Sequence, residues 1–405
     1  MTTPSVSLAT RLACALHAAI NSMLQFAARL AWREQLPAEP KRVCVWRTGN
    51  IGDLVCALPA LAAIRRTWPT AELTLLTSPG KRGAPGAKEL LADAEWLDHL
   101  WVYYRDELSL RGFARELRER DFDLVVRLPQ NMSTPWLELR QLVFLWLFAG
   151  IRHARNFAVG NLLWLGRGPA RALAKSRNIE HEADRLLRLV SEYTVTAHAA
   201  EFPLPLTASL KAEATRVLDQ HGISSENLLC ISPGAKRSTN RWPASRFGEV
   251  ARRWIEDGGR VLVLGSEGDH ALGKEIREIA GPGATNLCGQ SPILLAAALI
   301  QRAQLLASND TGAIHLAAAV RTPSVVPFSA RDAPDRWFPY FSETTPEHSR
   351  PIVHRRSPAC SPCWLESCPN ENRCLTEIPT DQVWESARAV RDLRKADSPA
   401  PRIAV

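Results

Sequence analysis

Short apolar runs rich in Val, Leu and Ile recur along this chain, and each is followed by a loop and then by a span of helical periodicity. In the first half the runs are "RVCVW" (42–46), "AELTLLT" (71–77), "LWVYY" (100–104) and "FDLVVRL" (122–128), alternating with helical spans at 54–67, 108–120, 136–148 and 180–193. In the second half "NLLCIS" (227–232), "RVLVLGS" (260–266), "QLLAS" (304–308) and "SVVPFS" (324–329) alternate with spans at 244–257, 270–280, 293–302 and 311–319. Near-continuous apolar strands alternating with helices predict parallel sheets covered on both faces, and exclude an all-β or all-helical chain. No short-period repeat occurs, which excludes a solenoid. The loose segment "TAHAAEFPLPLT" (196–207) separates the halves, so the reading is α/β with two Rossmann-like domains, in which ligands sit at the carboxyl ends of strands.

Before the first strand, residues 8–33 place Leu8, Leu12, Leu16, Ile20, Met23, Ala27 and Leu30 at steps of three or four, the pattern of an amphipathic helix. With Trp32 and a few cations it suits either a membrane interface or docking on the protein's own surface. "QLPAEPK" (35–41) reads as a linker. The expected division is 1–40 for this helix and linker, 41–205 for the first domain, 206–395 for the second and 396–405 for a tail. No signal peptide or uniformly apolar spanning segment is evident, so a cytoplasmic protein is expected.

Fifty Lys and Arg against 42 Asp and Glu give a formal charge of +8, which favours anionic partners. No compact basic run with interleaved aromatics is present, so nucleic acid is not an expected partner. Of nine cysteines, five lie in apolar segments and read as buried thiols. Cys360, Cys363, Cys368 and Cys374, in the Cys-rich segment 360–374, are spaced x2, x4 and x5. Four thiolates can hold zinc or form a redox pair, but the spacing is looser than in paired zinc knuckles, and no metal site is assigned.

Three strand-to-loop corners carry the residues of chemical interest. In "WRTGNIGDLVCALPAL", Gly49 and Gly52 permit close backbone approach and positive φ, and Asp53 stands where a helix begins. It reads either as an N-cap carboxylate or as a general base that takes a proton from an acceptor hydroxyl. The spacing is not GxGxxG, so a nicotinamide or flavin fingerprint is not met. In "SPGAKRSTNRWPASRF", Gly234, Lys236, Arg237 and Arg241 bring amides and cations to a helix start, which suits a pyrophosphate unless the cations are merely solvated. In "ASNDTGAIHLAAA", Asp310, Thr311 and Gly312 open a helix and His315 follows one turn later. They are either caps above a core histidine or an anion-binding nest with the histidine ordering it.

The blocks "GNIGDLVCALPALAAIRRTWPTAELTLLT", "SPGAKRSTNRWPASRF", "CGQSPILLAAALIQRAQLLASNDTGAIHLAAAVRTPSVVPFS" and "DRWFPY", in this order, resemble glycosyltransferase family 9, which includes the ADP-heptose:lipopolysaccharide heptosyltransferases. The resemblance spans about residues 42–395. It implies a GT-B fold with two domains facing a central cleft and an inverting, metal-independent transfer. The donor substrate would be a nucleotide sugar such as ADP-heptose, held by the second domain, with no further cofactor. The acceptor would be an anionic lipid-linked saccharide held by the first domain; where helix 8–33 meets a membrane interface, contact would be peripheral, on the cytoplasmic face of the inner membrane. By position, Asp53 falls on the family's proposed base, and Asp310, Thr311, Gly312 and His315 on its donor corner. Asn240 stands where the family usually has a phosphate-pairing lysine, with Lys236 or Arg237 as replacements; Arg321 and Ser329 stand where glycines are common. A nucleotide-sugar epimerase of the same fold and a non-catalytic nucleotide-sugar-binding protein remain as alternatives.

Overall fold

The computed structural model describes residues 8–32, 36–80, 82–83, 85–104, 106–107, 109–176, 179–195 and 202–397. Arg33, the start of the linker, Leu108, the first half of segment 196–207 and most of the tail lie outside the described residues. The chain divides into two compact units, Met1–Pro205 and Leu206–Val405.

The first unit holds a five-stranded sheet in the order β3-β2-β1-β4-β5. Its strands are β1 (Arg42–Trp46), β2 (Glu72–Thr77), β3 (His99–Val102), β4 (Leu124–Arg127) and β5 (Ala154–Arg155). All pairings are parallel. The second unit holds six parallel strands in the order β11-β10-β9-β6-β7-β8. They are β6 (Leu228–Ser232), β7 (Arg260–Val263), β8 (Ala284–Asn286), β9 (Leu305–Ser308), β10 (Ser324–Pro327) and β11 (Ile352–His354). Every residue of β4, β6, β9 and β10 is buried, which requires cover on both faces and explains their unbroken apolar runs.

Strand order sets where ligands can sit. From β1 the chain winds outward to β3, then returns to lay β4 on the other side of β1; from β6 it winds out to β8, then returns to lay β9 beside β6. Each reversal opens a crevice beyond the carboxyl ends of two neighbouring central strands. The corner containing Asp53 follows β1, and those containing Lys236 and Asp310 follow β6 and β9.

Several elements differ from the reading of the sequence. The span at 54–67 is two helices, Ile51–Val55 and Leu58–Thr67, and Pro59 sits in the first turn of the second, where its missing N–H costs nothing. The span at 136–148 ends as an α-helix at Val143 and continues as a π-turn, Phe144–Phe148. Helices Arg167–Ser176, Ala208–Gln220 and Thr380–Asp397, and strands β5, β8 and β11, are additional to the elements expected from the sequence.

The N-terminal helix runs from Leu8 to Ala31. Of the two readings of Trp32, the structure shows docking: its indole is buried, donates to the Ile151 carbonyl at 2.7 Å and stacks on Phe157 at 5.3 Å. Asn21 accepts from the Val159 amide at 2.8 Å, a second tie to the unit. The stripe of Leu8, Leu12, Leu16, Met23 and Leu30 faces solvent. The helix docks by one edge and leaves its apolar face open. Cys44, Cys56, Cys230 and Cys288 are buried, and burial pushes the Cys288 thiol up to about 12. Cys14, counted with them, is only half-buried on the helix surface.

Candidate active site

At the corner after β1, Gly49 has φ +140°, and a Cβ built on it would lie 2.4 Å from the Asp53 Cβ and 2.7 Å from its Oδ2. Only glycine lets the loop fold this closely over Asp53. Gly52 is different. It is the second residue of helix Ile51–Val55 and does not have positive φ. Asp53 is not the N-cap residue; it is third in the helix, and its Oδ2 reaches back to accept the Asn50 amide at 3.0 Å, the carboxylate half of a capping box. Its Oδ1 lies 3.4 Å from Nη2 of Arg47, and its side chain remains partly exposed.

Arg47 lies in no motif that marks it in the sequence. It is fully buried, pairs with Glu182 at 3.2 Å, and donates to the Leu128 and Pro129 carbonyls just beyond β4. Glu182 lies 135 residues further along the chain, and nothing local in either segment signals their contact.

In the second unit the corners after β6 and β9 are laced together. Asn309 is fully buried; its Oδ1 accepts the Trp242 amide at 2.8 Å and its Nδ2 donates to the Pro233 carbonyl at 2.7 Å. Asn240 Nδ2 donates to Asp310 Oδ2 at 2.9 Å, while its Oδ1 is buried without a hydrogen-bond partner. The helix Gly312–Ala319 begins immediately. Thr311 is its N-cap residue by backbone, yet the Thr311 hydroxyl makes no capping bond, so the first-turn amides are not closed off from that side.

The cations of the β6 loop divide. Lys236 is exposed. Arg237 instead binds Glu366 of the Cys-rich segment through Nε at 2.8 Å, and Arg331 joins the same carboxylate at 2.9 Å. Arg241 folds back onto the Ala235 carbonyl at 2.7 Å. Gly234 is needed for a protein contact, because a Cβ there would lie 2.3 Å from the Asp269 carboxylate. His315 is buried, with its ring edge-on to Trp337 at 6.2 Å between centroids. The cysteines of segment 360–374 are half-buried free thiols, and among the described residues no group of three or more His, Cys, Asp or Glu is placed to hold a metal.

Asp310 has the most informative electrostatics. Burial, and then the charge of Asp332, push its carboxyl up to about 7 against the opposing pull of Arg331 and Arg237.

These features define a doubly wound pair of α/β units with polar corners at both topological switch points. The chain belongs to glycosyltransferase family 9 (heptosyltransferase), whose family model matches residues 110–370. It is 26% identical over 369 residues to lipopolysaccharide heptosyltransferase 1 of Pseudomonas aeruginosa, covering 84% of this chain and 92% of that protein. Its fold is similar to that of a glycosyl transferase family 9 protein from Veillonella parvula, with a TM-score of 0.67 at 19% identity over 87% of this chain and 98% of that one. It is also similar to the Escherichia coli ADP-heptose lps heptosyltransferase II, with a TM-score of 0.59 at 20% identity over 87% and 99%. The architecture is therefore GT-B.

Proposed function

We propose that this glycosyltransferase moves heptose from ADP-heptose to a lipopolysaccharide core or related lipid-linked saccharide. The observation that carries the donor assignment is the helix end at Gly312. It opens uncapped by Thr311 at the switch point of the second sheet, beside a loop bearing Lys236, and Asn309 fixes the two corners to each other. First-turn amides and the helix dipole suit a diphosphate leaving group, with Lys236 as the nearby cation. At the other corner Asp53 acts as general base, removing the acceptor's hydroxyl proton as that oxygen bonds to the anomeric carbon and the carbon–diphosphate bond breaks. Attack opposite the nucleotide inverts the anomeric centre. A diphosphate is already an acidic leaving group and needs no second carboxylate to protonate it, and amide and cation contacts can stabilise its charge without a metal.

The raised Asp310 carboxyl makes this testable. An ionised carboxylate beside the donor corner repels a diphosphate, whereas a protonated one does not. ADP affinity measured by calorimetry is expected to rise several-fold from pH 8 to pH 6, through the value of about 7, and Asp310→Asn is expected to remove that dependence. The sign for folding is the same: because the folded value lies above the ordinary 3.8, the contribution to stability is full below that value and lost as pH rises through about 7. ADP binding with no pH dependence that differs between the two proteins places the diphosphate elsewhere.

We further propose peripheral contact with an anionic bilayer through the first unit, with the protein on the cytoplasmic face of the inner membrane. Helix Leu8–Ala31 packs beside Pro135–Val143. Besides the helix's apolar stripe, Trp136, Trp146, Leu147 and Phe148 are exposed there, and Arg11, Arg29 and Arg140 stand exposed on the same two helices. Among the described residues no helix is long and apolar enough to cross a membrane, so attachment would be in the interface plane. In flotation with phosphatidylglycerol-containing vesicles, Leu12→Glu with Leu16→Glu is expected to release most of the bound protein without changing its melting temperature. Equal flotation of both proteins contradicts this surface.

A further inference from the structure

Asp53 is held by a buried chain of charges, Arg47 and, 135 residues beyond Arg47, Glu182. Arg47 and Glu182 are both fully buried and lie 3.2 Å apart. The Arg47 guanidinium touches four residues of the first unit, Glu182 among them. Nε and Nη2 donate to the Asp53 carbonyl at 3.3 and 3.1 Å, Nη2 faces the Asp53 carboxylate at 3.4 Å, and Nη1 holds the carbonyls of Leu128 and Pro129 at 3.2 and 3.1 Å. Glu182, first residue of helix Glu182–Val190, also accepts from Arg185 at 2.7 and 2.8 Å, and Arg185 donates to the same Pro129 carbonyl at 2.6 Å. The network crosses the switch point between β1 and β4.

A buried ion pair is a poor device for stability alone, because well-packed apolar side chains of similar volume often serve as well or better. What this one does that apolar groups cannot is fix a carboxylate. Oδ2 of Asp53 is held by the Asn50 amide and Oδ1 faces Arg47, so rotation of the carboxylate is restricted from both sides. We infer that Arg47, itself anchored by Glu182, is a positioning residue that sets the orientation of the Asp53 carboxylate for proton removal from the acceptor. The inference rests on the reading of Asp53 as the base.

Arg47→Met alone leaves Glu182 without its Arg47 partner in the interior and risks misfolding. The pair Arg47→Met with Glu182→Gln removes the guanidinium without changing net charge and keeps an acceptor oxygen for Arg185; Glu182→Gln alone is the milder companion. Steady-state transfer is measured with ADP-heptose and heptose-deficient core lipopolysaccharide, alongside melting temperatures and Asp53→Asn. Loss of orientation is expected to lower kcat by about tenfold or more in both variants, with KM for the donor changed by less than about twofold. A folded double variant with parental kcat, or a loss appearing only as raised KM and lowered melting temperature, overturns the inference while leaving the base intact. Parental kcat in Asp53→Asn removes the base reading, and the positioning role falls with it.

Discussion

Asp53→Asn is expected to lower kcat by about 10²-fold or more while ADP affinity changes by less than about twofold. The substitution is close to isosteric. An amide oxygen can still accept the Asn50 amide that Asp53 Oδ2 accepts at 3.0 Å, so the start of helix Ile51–Val55 survives. Arg47 retains Glu182 at 3.2 Å, so no buried cation is left without its main counter-charge. What disappears is the partly exposed carboxylate that takes the proton. A single-turnover measurement separates this loss from any change in product release, and a variant as fast as the parent removes Asp53 from the chemistry.

The second large effect is expected from Asn309→Ala. This side chain satisfies the Trp242 amide at 2.8 Å and the Pro233 carbonyl at 2.7 Å, both buried. Alanine leaves a donor and an acceptor without partners, which costs about 2–4 kcal/mol and lowers the melting temperature by roughly 4–15 °C. Because the same two bonds hold the β6 loop against the β9 corner, ADP affinity measured well below the melting temperature is expected to fall by about tenfold or more. Thermal unfolding and calorimetry on the same sample check both. Unchanged affinity in a destabilised protein means that Asn309 serves the fold alone.

The inner strands were legible because burial on both faces writes an unbroken apolar run, as in "LLCIS" and "LLAS". β5, β8 and β11 were not, because two or three residues at or near a sheet edge carry no periodicity. The same holds for function. Asp53, Asp310 and Thr311 could be marked as candidates because glycines and a helix start surround them. Their partners could not: Arg47 meets Glu182, Arg237 meets Glu366, and Asn309 reaches back to Pro233, across separations of 135, 129 and 76 residues. The sequence shows cations in the β6 loop, but only packing shows that Arg237 is held by a carboxylate and Lys236 is exposed. The N-terminal helix shows a different limit. Its periodicity marks an apolar face correctly, and periodicity does not say whether protein covers that face.

Heptosyl transfer is tested most directly by mass spectrometry of one reaction containing the protein, ADP-heptose and a heptose-deficient core lipopolysaccharide. The expected result is an acceptor heavier by one heptose, with ADP released in equal amount and none above background without acceptor. Donor converted to an isomeric sugar nucleotide in the absence of acceptor, or ADP-heptose bound and left intact with every acceptor offered, would contradict it.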